Sequence, residues 1–141
     1  MASIMSMRDM FIALFFYCFM PVASLAQLSL TIEITDLRNN EGQIHLELSN
    51  GDGERVVGVT RSISDNACII VIDSLSPGKY AFKFFHDENE NDILDVNWIG
   101  IPKEGFGFSN NPRMIFGPPS FKRTIFDFVE SKKIKTKPTY F

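Results

Sequence analysis

The sequence predicts an all-β fold: a single antiparallel β-sandwich of about seven strands, connected in Greek-key fashion and carrying one long acidic and Gly/aromatic loop. Three observations carry this. Apolar and polar residues alternate with a period of two in several short segments, turn-forming residues separate those segments, and no ten-residue stretch has the 3.6-residue periodicity of an amphipathic helix.

The first 26 residues stand apart from that pattern. Arg8 makes a weakly positive start, "MFIALFFYCFMPV" is an apolar run, and Ser24 and Ala26 put small residues where a signal peptidase cuts. The run is shorter than the ~20 apolar residues needed to span a bilayer. A signal peptide over residues 1–26 and a β-sandwich domain over residues 27–141 are therefore expected. Export to the periplasm or beyond follows, with no integral membrane segment after cleavage. Cys18 would leave with the leader, so Cys68 has no partner for an internal disulfide and stability must come from packing.

Leu28, Leu30, Ile32 and Ile34 alternate with Ser29, Thr31, Glu33 and Thr35, which is a half-buried strand. "RNNEGQ" then turns the chain, and Ile44, Leu46 and Leu48 alternate with His45 and Glu47, so the pair reads as an antiparallel hairpin with His45 on the outer face. "RVVGVTRSI" is a weaker strand, and the nearly continuous apolar run "ACIIVIDSL" reads as a central one. After the turn at Pro77 and Gly78, Tyr80, Phe82 and Phe84 share one face. "TIFDFVE" and "KIKTKPTYF" resume the alternation, and the lysines of "KKIKTK" suit a solvated edge strand. The formal net charge is −3 and no other basic cluster occurs, so nothing points to nucleic acid.

Residues 87–120 lack a regular pattern, and a loop that long in a small domain is functional or held by something besides its own backbone. It opens with "HDENENDILD". Calcium takes six to eight oxygens, and Asp87, Asn89 and Asn91 recur at alternate positions as the first, third and fifth ligands of a calcium loop. The carbonyl of Ile93 would be the seventh, with its side chain turned into the core, and Asp95 stands at the ninth. Asp92 takes the place of the glycine usual at the bend, and Trp98 at the twelfth position cannot ligate. Glu104 is the candidate that closes the shell, with Asn97 second. The expected cofactor is Ca²⁺, bound weakly, with a dissociation constant of ~0.1 to 1 mM as in extracellular modules. The competing reading is a polar β-turn in which Asp and Asn satisfy their own backbone.

Beyond the acidic run, Trp98, Phe106, Phe108, Phe116 and Phe121 are expected to close one end of the sandwich. Catalysis finds no complete constellation. Ser109 in "GFSNN" lacks the closing glycine of a nucleophile elbow, and two histidines far apart in sequence do not make a zinc site. The expected protein is a binding or structural module of the cell envelope, not an enzyme, with a protein, peptide or glycan as partner. A small hydrolase centred on His86 and a carrier of apolar ligands are the alternatives.

"LSPGKYAFKFFHDENENDILDVNWIGIPKEGFGFSNNP", with "FGPPSF" after it, resembles the bacterial family known as domain of unknown function 2141, which pairs an aspartate-asparagine loop with a GIPKEG-aromatic segment. The resemblance is dense from Leu75 to Phe121. It implies an exported, transthyretin-like or prealbumin-like β-sandwich and no established activity. The PG-x-Y turn with the acidic loop is also similar to the calcium-binding B-type repeats of surface adhesins.

Overall fold

The computed structural model describes residues 27–114 and 117–141; the signal peptide expected over residues 1–26, and Phe116, lie outside the described residues. Among the described residues eight strands form: β1 (Leu28–Ile34), β2 (Gln43–Asn50), β3 (Arg55–Ser62), β4 (Cys68–Leu75), β5 (Gly78–Asp87), β6 (Phe106–Phe108), β7 (Phe126–Phe128) and β8 (Lys132–Thr136), with one helical turn, α1 (Phe121–Thr124), before β7. They make a three-stranded sheet in the order β4-β1-β8 and a five-stranded sheet in the order β3-β2-β5-β6, where β7 also pairs with β5. All pairs are antiparallel except β1 with β8. Among the described residues no helix is long and apolar enough to cross a membrane.

The period-two alternation builds the core. Leu30, Ile32 and Ile34 of β1 and Ile70 and Ile72 of β4 meet Ile44, Leu46 and Leu48 of β2 and Tyr80, Phe82 and Phe84 of β5, with Phe126 and Phe128 closing the layer. Ser109 is fully buried here as a structural residue: its Oγ accepts from the Phe82 N–H at 3.0 Å and donates to the Thr124 carbonyl at 2.5 Å.

Three expectations are corrected. The alternating segments β1 and β2 do not form a hairpin but lie in different sheets. The connector between them holds Asp36 and Gly42 at positive φ and buries Leu37, whose backbone pairs with Asn66 in both directions, so the chain is carried over the end of the core. β4 is not central: it pairs with β1 alone, and Ile69 and Val71 face outward beside Glu33 and Thr31. Trp98 does not close the sandwich, since it is 94% exposed. It sits on a turn fixed by Asn97, whose Oδ1 accepts the N–H groups of Ile99 and Ile101, so Asn97 shapes a turn and presents Trp98 to solvent. The lysine-bearing edge is found as expected, with Lys132, Lys133 and Lys135 on β8 and Lys133 paired to Glu33 at 2.6 Å.

Burial pushes the Cys68 thiol up to about 11, so at pH 8 only about one molecule in a thousand carries the reactive thiolate. A thiol reagent at that pH is expected to leave Cys68 unmodified in the native protein and to modify it in urea, as read by mass analysis of the Cys68 peptide. Rapid labelling without urea would contradict the burial.

Candidate functional site

The acidic loop is built outward from the last residue of β5. Asp87 belongs to the outer face of the five-stranded sheet, yet it is fully buried because the loop folds back over it. Its Oδ2 accepts the N–H of Asp92 at 2.8 Å and its Oδ1 that of Asn91 at 3.1 Å. Asn89 Oδ1 also accepts the Asn91 N–H at 3.2 Å, and Asn91 Oδ1 accepts that of Ile93 at 3.0 Å. Asn89 and Asn91 thus each turn the backbone two residues on, while Asp87 closes the wider bend over four and five residues. Asp92 adopts φ 65°, the left-handed conformation for which glycine is usual.

Glu104 fastens the same loop from the other side. Its Oε1 accepts the N–H of Glu88 at 2.9 Å and its Oε2 that of Asp95 at 3.0 Å. Two buried carboxylates therefore hold residues 88–95 through four backbone N–H groups, and bonds of this charge-assisted kind are worth ~1.5 to 3 kcal/mol each. Arg38 adds an outer layer, bonding Glu88 through Nε at 3.1 Å and the Lys103 carbonyl through Nη2 at 3.1 Å. Burial opposes ionisation of Glu88 most strongly, but Arg38 and Asn39 hold its carboxyl below the usual range.

The predicted side-chain ligands divide into two groups. The side chains of Asn89, Asn91 and Asp95 converge: Asn89 Nδ2 lies 2.7 Å from Asp95 Oδ2, and Asn91 Nδ2 lies 3.2 Å from the same oxygen. Asp87 and Glu104 instead face backbone N–H groups, each oxygen keeping further acceptor capacity. The inward placement expected for the Ile93 side chain is corrected: the residue is 60% exposed, and its N–H is taken by Asn91 Oδ1. Asp87, Asn89, Asn91, Asp95 and Glu104 supply hard oxygen donors, the chemistry that calcium requires.

His86 has a structural place in the fold. It is fully buried, with Nδ1 2.9 Å from the Tyr140 hydroxyl and Nε2 2.7 Å from the Glu41 carbonyl, so both ring nitrogens are engaged in tying the connector and the C-terminal segment to β5. The histidine that does reach the loop is His45. Its Nε2 stands 3.1 Å from Asp87 Oδ2 and 3.4 Å from Asp92 Oδ1, its Nδ1 stands 3.2 Å from Thr60 Oγ1, and its ring stacks on Phe85 at 4.9 Å. Alternation alone puts His45 and Asp87 on outer faces of their strands. What unites them is the register of β2 on β5, in which Gln43 pairs with Asp87 and His45 with Phe85.

Two grooves flank this region. One of about 420 Å³ runs over the outer face of the five-stranded sheet, lined by His45, Thr60, Lys83, Phe85, Leu94 and Phe108 among others. A more apolar one of about 450 Å³ is lined by Val96, Ile101, Met114, Pro118 and Phe141 and shares Leu94, Phe106 and Phe108 with the first. Trp98 lines neither groove.

Burial, the largest single influence, opposes ionisation of Asp87. The N–H groups of Asp92 and Asn91 and the His45 ring together nonetheless hold its carboxyl below the usual carboxylate range. A group with a depressed folded pKa contributes stability above its unfolded value, about 3.9, and that stability is lost as pH falls through the folded value. Asp87→Asn is therefore expected to cost ~1 to 3 kcal/mol at pH 7 in urea denaturation, and the gap to wild type should narrow below pH ~4. A gap that stays constant with pH would contradict this assignment.

Residues 32–136 match the model of a family described as Uncharacterized protein conserved in bacteria (DUF2141). Comparisons with curated proteins and with solved structures give no match. The matched span takes in seven complete strands, the last three residues of β1 and the acidic loop. The chain belongs to DUF2141, a family of uncharacterized proteins conserved in bacteria.

Proposed function

We propose that this protein is an exported β-sandwich module of the bacterial cell envelope, whose acidic loop is ordered by weakly bound Ca²⁺ and which engages a protein, peptide or glycan there. The observation that carries the reading is the convergence of Asn89, Asn91 and Asp95 on one point within a loop already held at both ends by Asp87 and Glu104. Calcium entering there replaces amide-to-carboxylate hydrogen bonds by oxygen–metal bonds, and the backbone bonds to Asp87 and Glu104 limit how far the loop must rearrange. Magnesium fits less well because it keeps its waters and demands a stricter octahedron.

The order so gained bears on the partner surface. Val96, Trp98 and Ile99 are exposed on the segment that continues directly from the loop, between Asp95 and Glu104. A calcium-ordered loop presents that segment in one conformation and lowers the entropic cost of binding.

With a dissociation constant of ~0.1 to 1 mM, millimolar calcium adds about 0.4 to 1.4 kcal/mol by mass action, and Tm is expected to rise by about 2 to 6 °C over that in chelator. Asp95→Ala should remove this difference while leaving the chelator melt nearly unchanged. Coincident wild-type melts in calcium and chelator would overturn the reading.

A further inference from the structure

We propose that His45, Asp87 and Asp92, with Gln43 completing a four-donor set, form a binding site for a transition-metal dication of the Zn²⁺ class on the outer face of the five-stranded sheet. The site goes beyond the oxygen-only loop set, with which it shares Asp87 alone.

The donors come from three parts of the chain and are gathered by strand geometry. Gln43 and His45 share the outer face of β2 by the period of two, Asp87 is the cross-strand partner of Gln43 on β5, and Asp92 returns to the same place on the loop. One ligand atom from each of His45, Asp87 and Asp92 lies within 4.8 Å of the others.

Three polar atoms crowd one ring nitrogen. His45 Nε2 has Gln43 Nε2 at 3.2 Å, Asp87 Oδ2 at 3.1 Å and Asp92 Oδ1 at 3.4 Å. A neutral imidazole offers either one proton or one lone pair at that atom, so it cannot donate to both carboxylates and accept from the amide. A dication between the nitrogen and the two carboxylates satisfies all three groups, and a half-turn of the Gln43 amide brings its Oε1 toward the same ion.

The surroundings are those of a built ligand set. Thr60 Oγ1, 3.2 Å from His45 Nδ1, accepts the proton of the tautomer that leaves Nε2 free to ligate. Stacking on Phe85, with ring planes 10° apart, fixes the plane of the imidazole. The Asn91 and Asp92 N–H groups orient the Asp87 carboxylate. An imidazole among carboxylates selects a borderline ion such as Zn²⁺ over Ca²⁺, which prefers oxygen throughout.

The test titrates the full chain with Zn²⁺ by calorimetry in excess Ca²⁺, and separately with Co²⁺, whose visible absorption reports a four-coordinate site. One Zn²⁺ per chain is expected, together with a Co²⁺ spectrum that Zn²⁺ abolishes. His45→Ala should weaken Zn²⁺ by more than ~100-fold, and Thr60→Val, which removes only an outer-sphere partner, by about 10-fold. Asp95→Ala should keep the Zn²⁺ site while losing the calcium-dependent melt, so failure of the calcium reading is distinguishable from failure of this one. No Zn²⁺ binding by wild type, or equal affinity in wild type and His45→Ala, would overturn the proposal. Should His45→Ala fail to fold, Asp92→Asn, which changes an exposed side chain, supplies the same comparison, and unchanged affinity there would overturn it equally.

Discussion

The acidic loop depends on one constraint: buried carboxylates must find hydrogen-bond donors, and here the donors are the loop's own backbone N–H groups. Asp87 and Glu104 are almost wholly removed from solvent. A carboxylate so placed is costly unless its oxygens are satisfied, and a loop with few apolar anchors is disordered unless its N–H groups are. Each requirement meets the other at Glu88, Asn91, Asp92 and Asp95. The result is a polar loop shaped without regular secondary structure, in which the Asn89 and Asn91 amides meet at the Asp95 carboxylate.

The sandwich supplies the fixed frame for this arrangement. β5 is the longest strand and pairs with β2, β6 and β7, so Asp87 starts the loop from a backbone held on several sides. Gly42 matters for the same reason. It takes φ 67° at the entry to β2, and a Cβ there would collide with the Asp87 carbonyl oxygen, so only glycine lets the connector pass this close to the end of β5. The β2–β5 register then sets Gln43 opposite Asp87 and decides that His45 faces the loop.

Much of this was legible in the sequence, for identifiable physical reasons. Alternation in β1, β2 and β5 reports the inward faces directly, because a strand exposes successive side chains to opposite sides. The aspartate and asparagine spacing of residues 87–95 likewise foretells local turns, since such side chains act on backbone two residues away. What the sequence concealed was non-local. The apolar run of β4 is compatible with a central strand, and only the width of the three-stranded sheet makes it an edge. His45 looks like a surface residue until the register brings Asp87 and Asp92 to it. Glu104 stood out in the sequence only as a spare carboxylate, and its grip on the Glu88 and Asp95 N–H groups required the fold of residues 96–103.

Amide hydrogen exchange resolved by residue, on the full chain in chelator, tests the central claim most directly. If the two carboxylates clamp the loop without any metal, the amides of Glu88, Asn91, Asp92 and Asp95 are protected in wild type. In Glu104→Ala, protection is lost at Glu88 and Asp95 while the strand amides of β2 and β5 keep theirs. Exchange of those four amides at free-peptide rates in wild type would contradict the account.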